Sequence, residues 1–221
     1  MRTLQDSALY SVRVSTIERR PQRLRHGERQ ACPDSVLYHA RMADGGIETE
    51  AKWRASVREH SRLRSVLRQL GGAHIITVEE INTLFDTAGG ELKRRGHVLR
   101  LRRLDEEHMI LTFKGPAAYQ EGMKVRSETE LHVSDRDAMI GILRGLGFTE
   151  SLEYRKTRET WQLNGVEVTL DTLDFGRFAE IEGTKTQIRR TAQLLSLDMA
   201  RTEPRGYPGM MRAHRTRERA V

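Results

Sequence analysis

Ile47-Glu48-Thr49-Glu50-Ala51-Lys52-Trp53 alternates charged side chains with apolar or small ones. Successive side chains on a strand point to opposite faces. Read as a strand, the stretch puts Glu48, Glu50 and Lys52 on one face and Ile47, Thr49, Ala51 and Trp53 on the other. Alone, such a strand turns its charges to water. The spacing returns in Ser127-Glu128-Thr129-Glu130-Leu131 and Ala179-Glu180-Ile181-Glu182-Gly183, with Leu131 and Ile181 on the opposite face. Other strands follow the same parity with basic residues. Arg100 and Arg102 oppose Leu99 and Leu101, Lys114 opposes Phe113, and Lys124 and Arg126 run in phase with Glu128 and Glu130. Lys156 and Arg158 share a face on a long strand, and Asp171 lies on the next one. Charged faces that meet inside a barrel give an α+β fold turned inside out, with its apolar face under helices.

That lining would hold seven acids (Glu48, Glu50, Glu128, Glu130, Asp171, Glu180, Glu182) and eight bases (Lys52, Arg100, Arg102, Lys114, Lys124, Arg126, Lys156, Arg158). A buried charge without a partner costs several kcal/mol or more, so each requires one. Clustered carboxylates are hard oxygen ligands suited to Mg²⁺ or Mn²⁺. Clustered Arg and Lys grip phosphate oxygens. A ligand carrying several phosphates, bridged to carboxylates by a divalent metal, satisfies both sets.

The helices are read from their caps and stripes. Ser56-Val57-Arg58-Glu59 is a capping box leading to Leu63, Val66, Leu67 and Leu70 at helical spacing, with Gly71-Gly72 as the stop. Ser134-x-x-Asp137 opens a second helix with a Met139, Ile142, Leu143 and Leu146 stripe, and Thr184-x-x-Gln187 a third bearing Ile188, Ala192 and Leu195. Asn164-Gly165 predicts a tight hairpin, because a type I′ turn needs two residues at positive φ. Asp86 is expected to build a turn, and Trp53 and Trp161 to pack outward under helices. Glu48-Thr49-Glu50 and Glu128-Thr129-Glu130 each precede a capped helix, a weak internal repeat that would set two acidic pairs on neighbouring walls.

Composition narrows the options. The net charge is +7. Residues 1–45 hold eight Arg against five acids, and residues 201–221 hold six Arg against two acids. The span 46–200 is neutral, with 24 bases and 24 acids. The basic excess therefore sits in the flanks, which argues against nucleic acid as the ligand of the central domain. We read 1–45 as a flexible basic extension, 46–200 as the domain, and 201–221 as a basic tail whose Arg run is solvated and in which 209–219 can form a helix. No apolar run is long enough to cross a membrane and the first residues carry no apolar signal core, so a cytoplasmic location is expected. One cysteine, Cys32, excludes an internal disulfide. A homodimer is left open.

The ordered set of motifs resembles the CYTH superfamily, the triphosphate tunnel enzymes. Its mark is Glu-x-Glu-x-Lys, here Glu48 to Lys52. Asn82-Thr83-Leu84-Phe85-Asp86-Thr87, Leu99-Arg100-Leu101-Arg102, Thr112-Phe113-Lys114-Gly115-Pro116, Tyr154-Arg155-Lys156-Thr157-Arg158 and Glu180-Ile181-Glu182 follow in the family's order, with Leu84 where Tyr is usual. The resemblance implies a closed antiparallel eight-stranded β-barrel. It implies metal at Glu48, Glu50, Asp171, Glu180 and Glu182, with Glu128 and Glu130 supporting. Phosphates would lie on Arg100, Arg102, Lys114, Lys124, Arg126, Lys156 and Arg158. Lys52 is marked as a general base or nucleophile orienter; burial among cations would lower its pKa, whereas Glu48 and Glu50 would raise it. The implied reaction is attack at phosphorus, like that of class IV adenylate cyclases (ATP to cyclic AMP and pyrophosphate). The alternatives are a triphosphatase acting on tripolyphosphate, thiamine triphosphate or a nucleoside triphosphate, and a non-catalytic polyphosphate or RNA binder.

Overall fold

The computed structural model describes residues 46–105 and 108–219. The expected extension at 1–45 lies outside the described residues. Eight strands form the wall: β1 (Gly46–Ala55), β2 (Ala73–Thr87), β3 (Val98–Arg103), β4 (Met109–Lys114), β6 (Met123–Val133), β7 (Phe148–Leu163), β8 (Val166–Leu173) and β9 (Gly176–Glu182). They run in the order β1-β9-β8-β7-β2-β3-β4-β6, and pairing of β6 with β1 closes the ring. Every pairing is antiparallel. A short strand the sequence did not suggest, β5 (Ala118–Gln120), adds to β6 as a flap outside the eight.

The apolar parity faces outward and helices cover much of it, but Ile47, Phe113 and Leu131, expected under helices, stay exposed. Helix α1 (Val57–Gln69) starts at the expected capping box: the Ser56 hydroxyl accepts from the Glu59 amide, and the Glu59 carboxylate accepts from the Ser56 amide. Helix α4 (Lys185–Leu194) uses Thr184 and Gln187 in the same way. Leu63 and Leu67 of α1, Ile188 and Ala192 of α4, and the following Leu195 bury Trp53, Trp161, Val168 and Ile181. Helix α3 (Arg136–Gly145) covers Leu99, Leu101 and Met109 with Ile140 and Leu143. Its cap is Asp135 rather than Ser134, and Ile142 and Leu146, expected in the buried stripe, are exposed. Only part of the apolar set fits one 3.6-residue stripe, and Ile140 completes it.

Turn chemistry follows the side chains. Asn164 (φ 51°) and Gly165 (φ 76°) make the β7–β8 hairpin. Asp86 accepts from the amides of Thr87, Leu92 and Lys93, fastening the short helix α2 (Glu91–Arg94) to the end of β2. The internal repeat has a structural counterpart: β1 pairs with β6 and β2 with β7, so each strand of one strand–helix–strand unit lies beside its counterpart in the other.

One end of the interior is apolar. Leu84, Leu152, Tyr154, Leu173 and Phe178 lie on the inward parity there, and helix α5 (Tyr207–Glu218) closes over them with Tyr207, Met210 and Met211. Helix α5 lies in the segment read as a tail, and begins with Pro208 in its first turn, where a missing amide is harmless. The segment is tied down ahead of the helix: the Glu203 amide donates to the Lys52 carbonyl and Thr202 bridges to Trp53. Its first half is therefore fastened to the barrel, while Arg201 and Arg205 there face water, as do Arg215, Arg217 and Arg219 further on. No helix among the described residues is long and apolar enough to cross a membrane.

Candidate active site

Cross-strand register sets the lining of the barrel. Glu48 lies opposite Arg126 and Glu50 opposite Lys124 across β1–β6. Lys52 faces Glu180 across β1–β9, Lys156 faces Glu80 across β2–β7, and Arg158 faces Asp171 across β7–β8. Lys114 faces Glu128 and Thr112 faces Glu130 across β4–β6. Opposite signs alternate around the wall, as charges directly across a ladder require. Glu182 breaks the rule twice: it lies directly opposite Glu50 across β1–β9, with Glu48 two residues along the same face, and directly opposite Glu167 across β8–β9.

The pairs are closed by short contacts. Lys114 Nζ donates to Glu48 Oε1 (3.0 Å) and Glu128 Oε2 (2.7 Å), and Arg126 Nε to Glu48 Oε2 (3.0 Å). Lys124 Nζ donates to Glu50. Lys52 Nζ reaches Glu180 Oε1 at 3.2 Å, and Arg158 Nη2 reaches Glu180 Oε2 at 2.7 Å. Asp171 accepts from Arg158 (2.8 and 2.6 Å), Lys156 (3.1 Å) and the Tyr207 hydroxyl (2.8 Å). Glu130 accepts from Arg102 (2.9 Å) and Thr112 (2.9 Å), with Arg100 at 3.7 Å.

A cavity of about 410 Å³ opens among them. Glu48, Glu50, Glu128, Glu180 and Glu182 border it, as do Lys52 and all seven bases expected to hold phosphate. Asp171 and Glu130 do not; their oxygens are turned to bases in the wall. The structure therefore brings together every expected site residue, but places these two as counterions rather than at the cavity. Two residues escaped the sequence reading. Glu80, wholly buried, touches Lys156 at 3.3 Å and Arg102 at 3.4 Å. Its parity on β2, in phase with Asn82 and Leu84, was the available clue. Tyr207 stands with its ring 4.2 Å from Lys52 Nζ. Nothing in its local sequence marks it, because only the folded segment carries it to the wall.

Electrostatics follow from these contacts. Burial opposes charge on Glu48, but Lys114 and Arg126 outweigh it and hold the carboxyl well below its usual range. Burial likewise opposes Glu180, yet Lys52 and Arg158 bring it down to about 2. Glu128 goes the other way: burial and the Glu48 charge outweigh Lys114 and push it up to about 7. For Lys52, burial favours the neutral amine, but Glu180 and Glu50 prevail and the pKa is raised. The depression that base chemistry needs is absent, because Lys52 is ringed by carboxylates rather than cations. Burial first, and then neighbouring cations, depress Lys124 and Lys156 instead.

Among the described residues, no three carboxylate, imidazole or thiol groups converge as a ready-made metal cage. The donor chemistry nevertheless fits a hard divalent ion. Glu48, Glu50 and Glu182 are oxygen donors on adjacent strands. Burial and the charge of Glu48 oppose ionisation of Glu50; Lys124 and Lys52 outweigh them and hold its carboxyl below the usual range, and a cation would relieve the repulsion from Glu48.

A model of the CYTH domain matches residues 46–207. The chain belongs to the CYTH family. A candidate adenylate cyclase of Methanocaldococcus jannaschii is 27% identical over 151 residues, covering 67% of this CYTH chain and 83% of that protein. Among solved structures, a Pyrococcus horikoshii protein (25% identity, TM-score 0.63) covers 76% of this chain and 99% of its own. A candidate adenylate cyclase of Vibrio parahaemolyticus (24% identity, TM-score 0.65) also covers 76% and 99%. A candidate adenylyl cyclase of Hippeastrum that reveals a dominant triphosphatase activity shares the fold at 19% identity and a TM-score of 0.62, covering 76% of this chain and 96% of its own.

Proposed function

We propose that this CYTH protein is a cytoplasmic, divalent-metal-dependent enzyme that binds a triphosphate in its tunnel and promotes attack at phosphorus, converting ATP to cyclic AMP and pyrophosphate. The observation that carries the metal and the phosphates together is the Glu50–Glu182 juxtaposition beside a wall of seven bases. Carboxylates and bases now satisfy one another. A polyphosphate offers the bases a second set of anions, which frees Glu48, Glu50 and Glu182 for a cation. Glu180 borders the same space and Glu128 supports it; Asp171 and Glu130 keep the arginines in place. Mg²⁺ or Mn²⁺, when bound, would screen phosphate charge and polarise phosphoryl oxygens.

The residues divide the remaining work. Arg100, Arg102, Lys114, Lys124, Arg126, Lys156 and Arg158 bind phosphate oxygens and stabilise charge that grows there in the transition state. Lys52, held protonated, donates to an oxygen or orients the nucleophile; it does not accept a proton as placed. Val98, Ala117 and Tyr119 border the cavity with less polar surface, room for a nucleoside beside its phosphates.

The same wall serves hydrolysis by water, and the activity named for the Hippeastrum protein supports that second reading. Incubation with ATP and with tripolyphosphate, each with Mg²⁺ and with Mn²⁺, separates them. Cyclic AMP with pyrophosphate supports cyclisation, and orthophosphate supports the triphosphatase. No metal-dependent turnover of either substrate overturns both.

A further inference from the structure

The cavity separates its carboxylates into those that border it and those that do not, and Glu80 belongs, with Asp171 and Glu130, to the second group. It is 1% exposed on the inward face of β2. Oε2 lies 3.3 Å from Lys156 Nζ; Oε1 lies 3.4 Å from Arg102 Nη1 and 3.8 Å from Arg158 Nε. One carboxylate thus touches three of the seven bases assigned to phosphate, on two different strands, β3 and β7. Asn82 Nδ2 is 3.5 Å from Oε2 and steadies it from its own strand.

The geometry sets Glu80 apart from the bordering carboxylates. A ligand in the cavity can take Lys114 from Glu48 or Lys124 from Glu50, because both partners of each pair meet the open space. It cannot take the place of Glu80, which has no face on that space. Its own contacts persist whether phosphate is present or not. Burial opposes its charge, yet Lys156, Arg102 and Arg158 keep its carboxyl ionised far into acid.

We infer that Glu80 is a positioning residue: a permanent counterion that holds Lys156, Arg102 and Arg158 in the geometry with which they grip a triphosphate. This rests on the reading of the tunnel as a phosphate site. Two Arg side chains and a Lys side chain have many rotamers, and fixing them in advance removes an ordering cost from binding and from the transition state. Glu80 touches no substrate in this role.

The test has two independent readouts on wild type, Glu80→Gln and Glu80→Asp in the full chain. Side-chain ¹⁵Nε NMR reads order directly. The Arg102 and Arg158 signals, sharp in wild type, should broaden or shift in Glu80→Gln, while Arg126, which Glu80 does not touch, stays unchanged. Steady-state kinetics with ATP and tripolyphosphate read the consequence. Glu80→Gln should lower kcat by about 10- to 100-fold with KM unchanged or lower, because the wall has gained net positive charge. Tripolyphosphate titration counts competent sites, so that a smaller folded fraction is not mistaken for a lower kcat. Glu80→Asp keeps the charge, folds where Gln does not, and should recover most of kcat. Unmoved Arg102 and Arg158 signals overturn the assignment, and so does a loss carried by KM alone. If wild type turns over neither substrate, the proposed reaction fails, while the NMR arm still decides whether Glu80 orders the arginines.

Discussion

The barrel interior has two ends built on the same strands and the same parity, and their chemistry is opposite. On β2 the inward positions run Glu80, Asn82, Leu84; on β7 they run Leu152, Tyr154, Lys156, Arg158. Two residues along a strand separate a charged chamber from an apolar plug. The charged chamber is bought with paired ions and gives a surface that can exchange partners. The plug is held by packing against α5 and meets the cavity through Tyr154 and Tyr207. Alternation along a strand therefore tells which face is inside, whereas depth along that face decides what the inside is for.

Four experiments press on this contrast. The largest effect is expected in the chamber. Glu50→Gln and Glu182→Gln should each cut metal-dependent turnover by about 1,000-fold, equivalent to about 4 kcal/mol of transition-state stabilisation, while the chain still melts cooperatively. Turnover within tenfold of wild type would remove these carboxylates from the site. At the plug the effect should fall on stability. Tyr207→Ala should cost about 3–5 kcal/mol in chemical denaturation, against about 1 kcal/mol for Tyr207→Phe, which loses only the hydrogen bond to Asp171. An equal cost for both would mean that the ring packs nothing.

The third experiment uses pH. The folded carboxyl of Glu128 titrates at about 7, above its usual 4.5. A raised pKa contributes stability that is present in full below about 4.5 and is lost as pH rises through 7. Glu128→Gln should therefore be more stable than wild type at pH 8 by about 1–3 kcal/mol, with the advantage gone near pH 4.5. An advantage independent of pH would argue for packing instead. Glu180, held at about 2, has the opposite sign: its contribution is present above 4.5 and fades as pH falls toward 2. The smallest effect concerns the flanks. A chain without residues 1–45 should turn over triphosphate within about twofold of wild type under one set of salt conditions. Salt-sensitive RNA binding that disappears with this segment, and survives Glu50→Gln, would favour the binding module. The C-terminal segment cannot be used this way, since its removal takes Tyr207 out of the wall.

Much of this was legible in the sequence, because a strand encodes its two faces in alternate letters. Glu48, Glu50 and Lys52 gave the parity, and Lys114, Arg126 and Arg158 continued it on other strands. Caps such as Ser56 with Glu59 were legible for the same reason: the hydrogen bonds are local. What escaped were contacts fixed by distance in space. Glu80 stood beside Glu79; its phase with Asn82 and Leu84 was the one local clue, and the register with Lys156 supplies the partner that lets it be buried. Tyr207 reads as one aromatic in an arginine-rich segment until Thr202 and Glu203 fasten that segment to β1. Asp171 and Glu130 had the right parity, and whether each borders the cavity depends on which arginine reaches it first.

The closing seam between β1 and its two neighbours bears on how the chain is made. Among the described residues, β1 hydrogen-bonds to β6 and β9 and not to β2, the next strand in sequence. During synthesis from the N-terminus it waits for β9, about 120 residues later, which at ordinary elongation rates takes on the order of ten seconds. Through that interval Glu48, Glu50 and Lys52 lie on an open ribbon whose apolar side shows Trp53. Ring closure is then a late event, so chaperone demand and aggregation during expression should track changes in the last hairpin more closely than changes in the first strand.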